Sequence, residues 1–246
     1  MKGNKLRRRS GTLKINIISN VLLAFLILMI ATFSTFSTKE TKKTGGMEAD
    51  IYRNGKSTSL GVSLMFNVYW GTEEVYRILE ILKEFDAKAT FFIGGCWADD
   101  NAQCLRDIYI AGHEIGNHGY FHKDHSKFNF EENQKEINAC NQFIQRAIGI
   151  KPVLFAPPSG AYNDDMVTAA TSLGLFTVLW SKDTIDWRDK NAAIIYSRAT
   201  NNVKNGDFIL MHPMKETADA LHDILKFYQN HGLKSVTVSQ NLQKEG

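Results

Sequence analysis

Short apolar runs alternate along the chain with stretches in which apolar residues recur every three or four positions. The first pattern is typical of buried strands and the second of amphipathic helices. Alternation with short connections predicts a parallel α/β sheet covered by helices, either a small barrel or a doubly wound sheet. The predicted strands are residues 60–66, 89–93, 113–117, 152–155, 175–180, 208–211 and 235–238. The predicted helices are residues 73–85, 99–111, 130–148, 164–173, 192–203 and 216–229.

Polar residues that could carry chemistry follow these strands, one to a strand-helix unit. They are Asn67, His118, Ser159, Asp183 and His212. The carboxyl ends of strands meet at one mouth in a barrel, whereas they spread along an edge in an open sheet. Convergence of so many units therefore favours a barrel of about seven parallel strands.

The amino-terminal end has a different pattern. Residues 1–14 are basic, and residues 15–36 form an apolar run without charge, which is long enough to span a bilayer. We expect an uncleaved transmembrane signal anchor with a cytoplasmic tail, a linker over residues 37–58, and a domain at 59–246 outside the cell membrane. A cleaved signal peptide is the alternative, although no A-x-A site follows the run. A cytoplasmic enzyme with an apolar tail is a third interpretation, which the basic-then-apolar pattern disfavours.

Charge and cysteine content exclude two further classes of protein. The first 46 residues hold nine of the 29 Lys and Arg and one of the 26 Asp and Glu, so the remainder has a formal charge of −5. Such a domain has no electrostatic reason to bind nucleic acid. Cys96, Cys104 and Cys140 are too few for a disulfide framework, and a Cys96–Cys104 pair is only a possibility.

Three of the seven histidines lie within residues 118–125, where a predicted strand gives way to a loop. Gly116 and Gly119 interrupt any helical pattern there. His118 and His122 could therefore hold a divalent metal that keeps open coordination positions. The alternative is a polar loop whose histidines bind nothing.

Residues 116–122 (GNHGYFH) resemble the His-x-x-x-His metal motif of NodB-homology polysaccharide deacetylases, carbohydrate esterase family four. Other motifs of that family follow in the family's order, across about residues 60–242. They are residues 90–94 (TFFIG), 157–162 (PPSGAY), 180–187 (WSKDTIDW) and 209–213 (ILMHP).

The resemblance implies a distorted (β/α) barrel that removes N-acetyl groups from N-acetylglucosamine units by metal-assisted hydrolysis. A cell-wall polysaccharide such as peptidoglycan is the expected substrate and partner, and zinc is the expected metal. His118 and His122 would be the metal ligands. His212 would be the catalytic acid, and Asp186 would tune it.

The same resemblance implies that the backbone N–H of Tyr162 binds the oxyanion and that Trp187 and Leu210 line the acetyl pocket. It also places Asp183 among the catalytic residues and Pro158 among the substrate-binding residues. The alternative for His212 is a histidine at the end of a strand that only hydrogen-bonds to backbone. The alternative for Asp186 and Trp187 is an acidic residue at the start of a helix beside a buried aromatic residue.

The first motif departs from the family pattern, which is usually Thr-Phe-Asp-Asp-Gly. Asn67 stands at the position of the catalytic base and cannot accept a proton near neutral pH. Val68 stands at the position of the third metal ligand and has no donor atom. Ala156 replaces the arginine that usually pairs with the base, so base and counter-charge are missing together.

Two hypotheses follow from this departure. In the first, Glu73, Glu74 or His125 supplies the missing ligand, with Asp124 a less informative candidate, and the site stays active. Each of these has a simpler interpretation as a solvated loop or helix-start residue. In the second, the domain is an inactive homologue that binds glycan or an envelope partner.

Overall fold

A computed structural model of the protein describes residues 51–56 and 58–242, in which one eight-stranded sheet is wrapped by helices. Every strand pairing in the sheet is parallel. The strands are β1 (Ile51–Tyr52), β2 (Ser63–Val68), β3 (Thr90–Ile93), β4 (Glu114–Asn117), β5 (Leu154–Phe155), β6 (Phe176–Val178), β7 (Lys182–Asp183) and β8 (Phe208–Met211). Their order is β1-β6-β5-β4-β3-β2-β8-β7. This is a curled parallel sheet, which fits the distorted barrel expected.

Helices follow most strands, as alternation of the two periodicities predicts. They are α1 (Thr72–Glu84), α2 (Gly95–Asp100), α3 (Ala102–Ile110), α4 (Phe130–Ile148), α5 (Asp164–Ser172), α6 (Asp186–Asp189), α7 (Ala192–Thr200), α8 (Lys215–Asn230) and α9 (Val238–Leu242). The longest, α4, begins with a capping box between Asn129 and Glu132 and ends at left-handed Gly149. These are favourable signals at both helix ends.

The core has two layers because successive side chains of a strand point to opposite faces. Along β2, Leu64, Phe66 and Val68 belong to the large apolar cluster that includes the buried faces of the surrounding helices. Met65, between them, belongs to a smaller cluster with Phe92 of β3 and residues from the other strands. That smaller cluster fills the inside of the curl. Asn67 therefore emerges at the inner face of the sheet, where the strands end.

Three parts of the predicted fold need correction. The sheet has eight strands rather than seven, because the two-residue strands β1 and β7 carry too little pattern to be read. Residues 235–238 do not form a strand: Ser235 makes an isolated bridge with Val62, and Val238 opens α9. The helix predicted at 99–111 is two helices that meet at Asn101.

Cys96, Cys104 and Cys140 are all free, so the pair considered from the sequence is not formed. The predicted basic tail at 1–14 and membrane span at 15–36, with most of the linker, lie outside the described residues. Among the residues that are described, no helix combines the length and apolar character that crossing a bilayer requires.

Candidate active site

A buried carboxylate holds His212 at the carboxyl end of the sheet. Asp186, the first residue of α6, is fully buried. Its Oδ1 accepts hydrogen bonds from His212 Nδ1 at 2.7 Å and from the backbone N–H of Trp187 at 2.9 Å. Its Oδ2 accepts from the backbone N–H of His212 at 2.6 Å and from Thr217 Oγ1 at 2.7 Å. Because Nδ1 faces the carboxylate, Nε2 of His212 is the nitrogen left to donate a proton, which suits a general acid.

The two histidines predicted as metal ligands lie next to each other, with ring centroids 5.1 Å apart. His118 is buried, and its Nδ1 bonds to the carbonyl oxygen of Ala156 at 2.7 Å. Burial, with the neighbouring His122, lowers the pKa of His118 to about 3. Burial also lowers the pKa of His122. Both rings are therefore neutral near pH 7, which is the form that binds metal.

The loop between these histidines is held by Glu136, from α4. Its two carboxylate oxygens accept hydrogen bonds from the backbone N–H groups of Tyr120, at 2.5 Å, and of Phe121, at 2.6 Å. The next residue, His122, adopts a left-handed conformation with φ of 52°, which is unusual for a residue with a side chain. Glu136 thus fixes the backbone that sets the direction of His122.

Asp183 lies beside the buried pair. It is in register with Leu210 of β8, and its Oδ1 accepts from the backbone N–H of Ile185 at 2.8 Å. Burial raises the pKa of the half-buried Asp183 carboxyl, while the charges of His212 and Asp186 act on it in opposite directions. The structure therefore brings Asp183, Asp186 and His212 together.

The residues predicted to bind substrate differ in exposure. Trp187 is 50% exposed and Tyr162 is 38% exposed, whereas Leu210 and Pro158 are buried. The hydroxyl of Tyr162 accepts a hydrogen bond from Arg53 at 3.2 Å. Trp187 and Tyr162 thus present rings at the surface, whereas Leu210 and Pro158 lie beneath it. The predicted roles of these four residues toward an acetyl group stay predictions.

The first motif provides no carboxylate at the site. Asn67 is 3% exposed, and its side-chain oxygen is buried without a hydrogen-bond partner among the described residues. The side chain of Val68 has no donor atom. It packs in the large apolar cluster and therefore faces the helix layer. Ala156 is buried in the inner cluster. The base, the third ligand and the counter-charge of the family pattern are thus replaced by an amide and two apolar side chains.

Two aromatic residues follow Val68 and contact His122 and His212. The ring of Tyr69 stacks on His122 at a centroid distance of 4.5 Å. The ring of Trp70 lies parallel to that of His212, 5.7 Å away at an interplanar angle of 4°. Tyr69 and Trp70 meet edge to face at 6.4 Å. The first motif therefore touches both histidine sites through aromatic rings.

None of the three candidates for a replacement ligand joins the two histidines. Glu73 is exposed, and Glu74 pairs with Arg77 at 2.6 Å. His125 is buried, with Nδ1 bonded to Asn133 at 2.6 Å and Nε2 unpartnered. In the described part of the chain, no three His, Cys, Asp or Glu side chains are grouped so that they could hold a metal ion.

His118 and His122 fit two ligand positions of a divalent metal such as zinc. The hydrogen bond from His118 Nδ1 to a carbonyl is typical of metal-binding histidines, because it directs Nε2 toward the metal. Structural and catalytic zinc sites usually have at least three protein ligands. The donor set therefore fits an open, weakened metal site rather than a complete one.

Glu136 and Thr217 were not predicted from the sequence, and each is a single polar residue on an amphipathic helix. Nothing in the local pattern distinguishes them from solvated helix residues. Trp70 carried a weak signal, since an aromatic residue follows the altered first motif.

The chain is similar to several known proteins. The family model described as polysaccharide deacetylase matches residues 54–178. The uncharacterized protein YlxY of Bacillus subtilis is 37% identical over 73% of this chain and 56% of its own length. A peptidoglycan-N-acetylglucosamine deacetylase of Bacillus cereus is 33% identical over 68% of this chain and 81% of its own. The chain thus spans about half of YlxY.

A solved structure is also similar. The crystal structure of BA3943 from Bacillus anthracis, described as a CE4 family pseudoenzyme, has a TM-score of 0.77 and 33% identity over 80% of this chain and 70% of that chain. A BA3943 mutant with restored enzymatic activity has the same TM-score at 31% identity, covering 80% and 72% of the two chains. By family match and by identity, this chain belongs to the polysaccharide deacetylase family, whose enzymes are hydrolases acting on amide bonds.

Proposed function

We propose that this chain acts on N-acetylglucosamine units of a cell-wall polysaccharide, peptidoglycan first, and removes their N-acetyl groups by metal-dependent hydrolysis. The observation that carries the proposal is the fully buried Asp186 carboxylate that holds His212. Burying a charged carboxylate destabilises the folded protein unless the carboxylate is fully hydrogen-bonded. A histidine with no chemical role would not need such a buried partner, so the network indicates that the orientation of His212 matters. The deacetylases among the relatives support the substrate class.

Each retained residue has a defined part in the hydrolysis. His118 and His122 would hold the metal, for which we propose zinc. When bound, a divalent metal supplies Lewis acidity that polarises the acetyl carbonyl and acidifies water. The oxygen of a water molecule bonds to the carbonyl carbon, and both water protons go to bulk solvent because no carboxylate base stands at position 67. The C–N bond then breaks, and acetate leaves. Nε2 of His212 donates the proton that the departing amine needs, while the backbone N–H of Tyr162 binds the developing oxyanion.

The acceptor side of this reaction is weak. The amide of Asn67 cannot take a proton from water near neutral pH, and general base catalysis is worth about 10²–10⁴-fold. We therefore expect turnover lower by about that factor than in a relative with a carboxylate at this position.

A second candidate function is glycan or envelope-partner binding without catalysis. The specific observation that favours it is the joint replacement at Asn67, Val68 and Ala156, together with the lack of a third described ligand. The similarity to the BA3943 pseudoenzyme supports it.

One experiment separates the two functions. The full-length chain, purified in detergent with added zinc, is assayed for metal content, for binding of N-acetylglucosamine oligomers and for acetate release. The variants are His118→Ala/His122→Ala and His212→Ala, with His222→Ala on α8 as an exposed control.

Near-stoichiometric metal with slow acetate release, both lost in the double variant, supports the hydrolase. Loss of acetate release with metal retained is expected for His212→Ala. Oligomer binding without acetate release, in a protein that holds zinc, contradicts the hydrolase and supports the binding module. Absence of both metal and oligomer binding contradicts both.

For localisation, we propose a single-pass anchor at residues 15–36 with the domain outside the cell membrane. Support comes from the basic tail, the uncharged run and the wall substrate of the relatives. Digestion of intact protoplasts with external protease should remove the domain and leave a short membrane-bound fragment. Protection of the domain from protease would contradict the proposal.

A further inference from the structure

We propose that the amino ends of the strands form a docking surface for an anionic phospholipid bilayer, in which lysines meet lipid phosphates and apolar side chains enter the headgroup layer. This surface, the entry face, consists of the segments that lead into the strands. The inference rests on the proposed localisation, because it needs a domain that is tethered beside a membrane. The segments are residues 54–56, 58–62, 85–89, 110–113, 149–153, 173–176, 201–207 and 231–237.

The topology of the sheet brings these segments together. Every strand pairing is parallel, so all strands begin at the same end of the sheet. Strands β6, β5, β4, β3, β2 and β8 are neighbours in that order, so the segments that precede them lie side by side. Residues 231–237 join them, since Ser235 makes a bridge with Val62 directly before β2. The entry face is thus at the opposite end of the sheet from His212.

Four large apolar side chains of the entry face are exposed. Ile110, at the end of α3, is 76% exposed and Leu60 is 66% exposed, the two highest values for a large apolar residue in the described part of the chain. Val153 is 48% exposed and Phe176 is 37% exposed. Single exposed apolar residues are ordinary, but these stand at the entries of β2, β4, β5 and β6, within a row of five neighbouring strands. Such a grouping is typical of a surface that contacts a partner or a membrane.

The charge of the entry face favours an anionic membrane. The face carries five lysines and two aspartates, a formal charge of +3, whereas residues 47–246 together carry −5. Asp207 is buried and accepts a hydrogen bond from Ser181 Oγ, so Asp86 is the one exposed carboxylate among the residues of this face that the structure describes. The five lysines are Lys56, Lys88, Lys151, Lys204 and Lys234.

Lysines beside aliphatic and aromatic side chains are the composition of proteins that lie on anionic lipid surfaces, where phosphates attract the ammonium groups and the headgroup layer accepts the apolar side chains. A second copy of this chain is a poorer occupant. A two-fold dimer through the entry face would set its positive charges against the same charges of the partner.

The chain also enters the domain at this face. Ile51, the first residue of β1, pairs with Thr177, which follows the exposed Phe176. The proposed membrane span ends at residue 36, and the residues between it and β1 can reach at most about 50 Å. A short tether keeps the local concentration of the lipid surface high, so weak contacts are sufficient for docking.

Docking through the entry face would give the proposed active site a direction. His118 and His212 follow the carboxyl ends of β4 and β8, at the end of the sheet opposite the bilayer. The cleft would therefore open away from the membrane, where a wall polymer could reach it without meeting lipid.

The experiment compares the full-length chain in vesicles of phosphatidylcholine with the same chain in vesicles that contain equal amounts of phosphatidylcholine and phosphatidylglycerol. Reductive methylation with formaldehyde, a small neutral reagent, is followed by mass spectrometry to give a rate for each lysine. The matched controls are Lys123 and Lys190, which are exposed in loops toward the opposite end of the sheet. The lysines that report on the entry face are the exposed Lys56, Lys151, Lys204 and Lys234.

We expect the lysines of the entry face to react about fivefold more slowly in the anionic vesicles, while Lys123 and Lys190 react equally in both. At about 1 M salt, where the screening length is about 3 Å, most of this difference should be lost. Equal rates at the entry face in the two kinds of vesicle would overturn the inference. Equal slowing of Lys123 and Lys190 would also overturn it, because lipid charge would then act on every lysine alike.

A pair of variants tests the apolar contacts. Leu60→Ser/Ile110→Ser should restore at least half of the lost lysine reactivity in the anionic vesicles, whereas Ile194→Ser, at a 40% exposed position on α7, should restore none. Unchanged rates in phosphatidylcholine vesicles check that each variant is folded. If the double variant is slowed as much as the parent, the apolar side chains do not enter the headgroup layer and the inference is overturned.

Flotation of the phosphatidylcholine vesicles at high salt tests the proposed anchor separately. A chain that floats with them while its lysine rates are equal in both kinds of vesicle keeps the anchor and loses the docking surface. A chain that does not float contradicts the proposed localisation itself.

Discussion

The two sides of the site differ in how completely their buried polar groups are hydrogen-bonded. On the donor side, formed by Asp186, His212 and Thr217, one buried carboxylate accepts four hydrogen bonds from backbone and side-chain donors. On the acceptor side, residues 67–70 of the first motif, the side-chain oxygen of Asn67 has no partner in the described part of the chain, and Val68 faces the helix layer. Because the sides come from different strands, β8 with α6 against β2, the chemistry of one can change while the structure of the other persists.

Replacing the amide of the acceptor side with a carboxylate tests this comparison with the largest expected effect. Asn67→Asp should raise the rate of acetate release by about 10²–10⁴-fold in the presence of zinc, because a general base is restored. Burial without the arginine that Ala156 replaces should raise the pKa of the new carboxyl. The base works only when deprotonated, so the rate should increase with pH through that pKa.

The pH dependence of kcat/KM for acetate release is the measurement, with the parent protein as the reference. Zinc content must be equal in the two proteins. An unchanged rate with zinc bound would mean that the acceptor side lacks more than a base.

Removing the charge from the donor side should have the next largest effect. Asp186→Asn keeps one acceptor but loses the charge that strengthens four hydrogen bonds, so we expect a loss of about 2–3 kcal/mol in the free energy of unfolding. Urea unfolding measures it. Asp189→Asn is the control, since this carboxylate pairs with Arg188 and Arg198 nearer the surface and should matter less. Equal losses in the two variants would show that the donor side has no special stability.

A smaller effect is expected from Glu136, which fixes the loop of the two proposed metal ligands. Glu136→Gln replaces one acceptor oxygen with a donor, which cannot accept from the backbone N–H of Tyr120 or Phe121. Loss of a hydrogen-bonding partner that positions metal-binding residues typically weakens metal binding about 10–100-fold. Competition with a zinc indicator measures the Kd, and Glu131→Gln, in the first turn of α4, is the control. An unaltered Kd would contradict the positioning role of Glu136.

The smallest effect concerns the pH dependence of stability, measured without metal. The folded-state pKa of His118, about 3, lies below its ordinary value of 6.5. Between these values the unfolded state binds the extra proton, so stability falls as the pH drops below 6.5, by at most about 1.4 kcal/mol per pH unit. In His118→Gln, the dependence of the free energy of unfolding on pH should be shallower, by up to the contribution of one proton.

Urea unfolding between pH 4 and 7 gives both slopes. His113→Gln should have a similar consequence, because burial lowers the pKa of His113 to about 4 far from the site. His222→Gln, at an exposed position, should leave the slope unchanged. If the His118→Gln slope equals that of the parent, His118 binds its proton equally well in the folded and unfolded states, which contradicts the lowered pKa.

Sequence patterns predicted the parts of this molecule that rest on local periodicity or on contiguous motifs. The helix at residues 130–148 was predicted with its observed bounds, and the confirmed family follows from motifs at the strand ends. Residues 235–238 were misread because a short alternating apolar run has no property that separates a strand from the start of a helix.

The support of the site could not be predicted, because it depends on distant contacts. Thr217 reaches Asp186 from 31 positions away, and Glu136 reaches Tyr120 from 16. Each comes from a helix whose pattern is equally consistent with a solvated face. The contacts of Trp70 with His212 likewise exist only once β2 and β8 pair.

Gly71 lies directly against Pro213, so the loop after β2 and the loop that carries His212 touch backbone to backbone. A Cβ atom at Gly71 would lie 2.2 Å from the carbonyl oxygen of Pro213, so no residue with a side chain fits there unless one of the two loops shifts. The position of His212 is thus tied to the absence of a side chain at a residue that is distant from it in sequence.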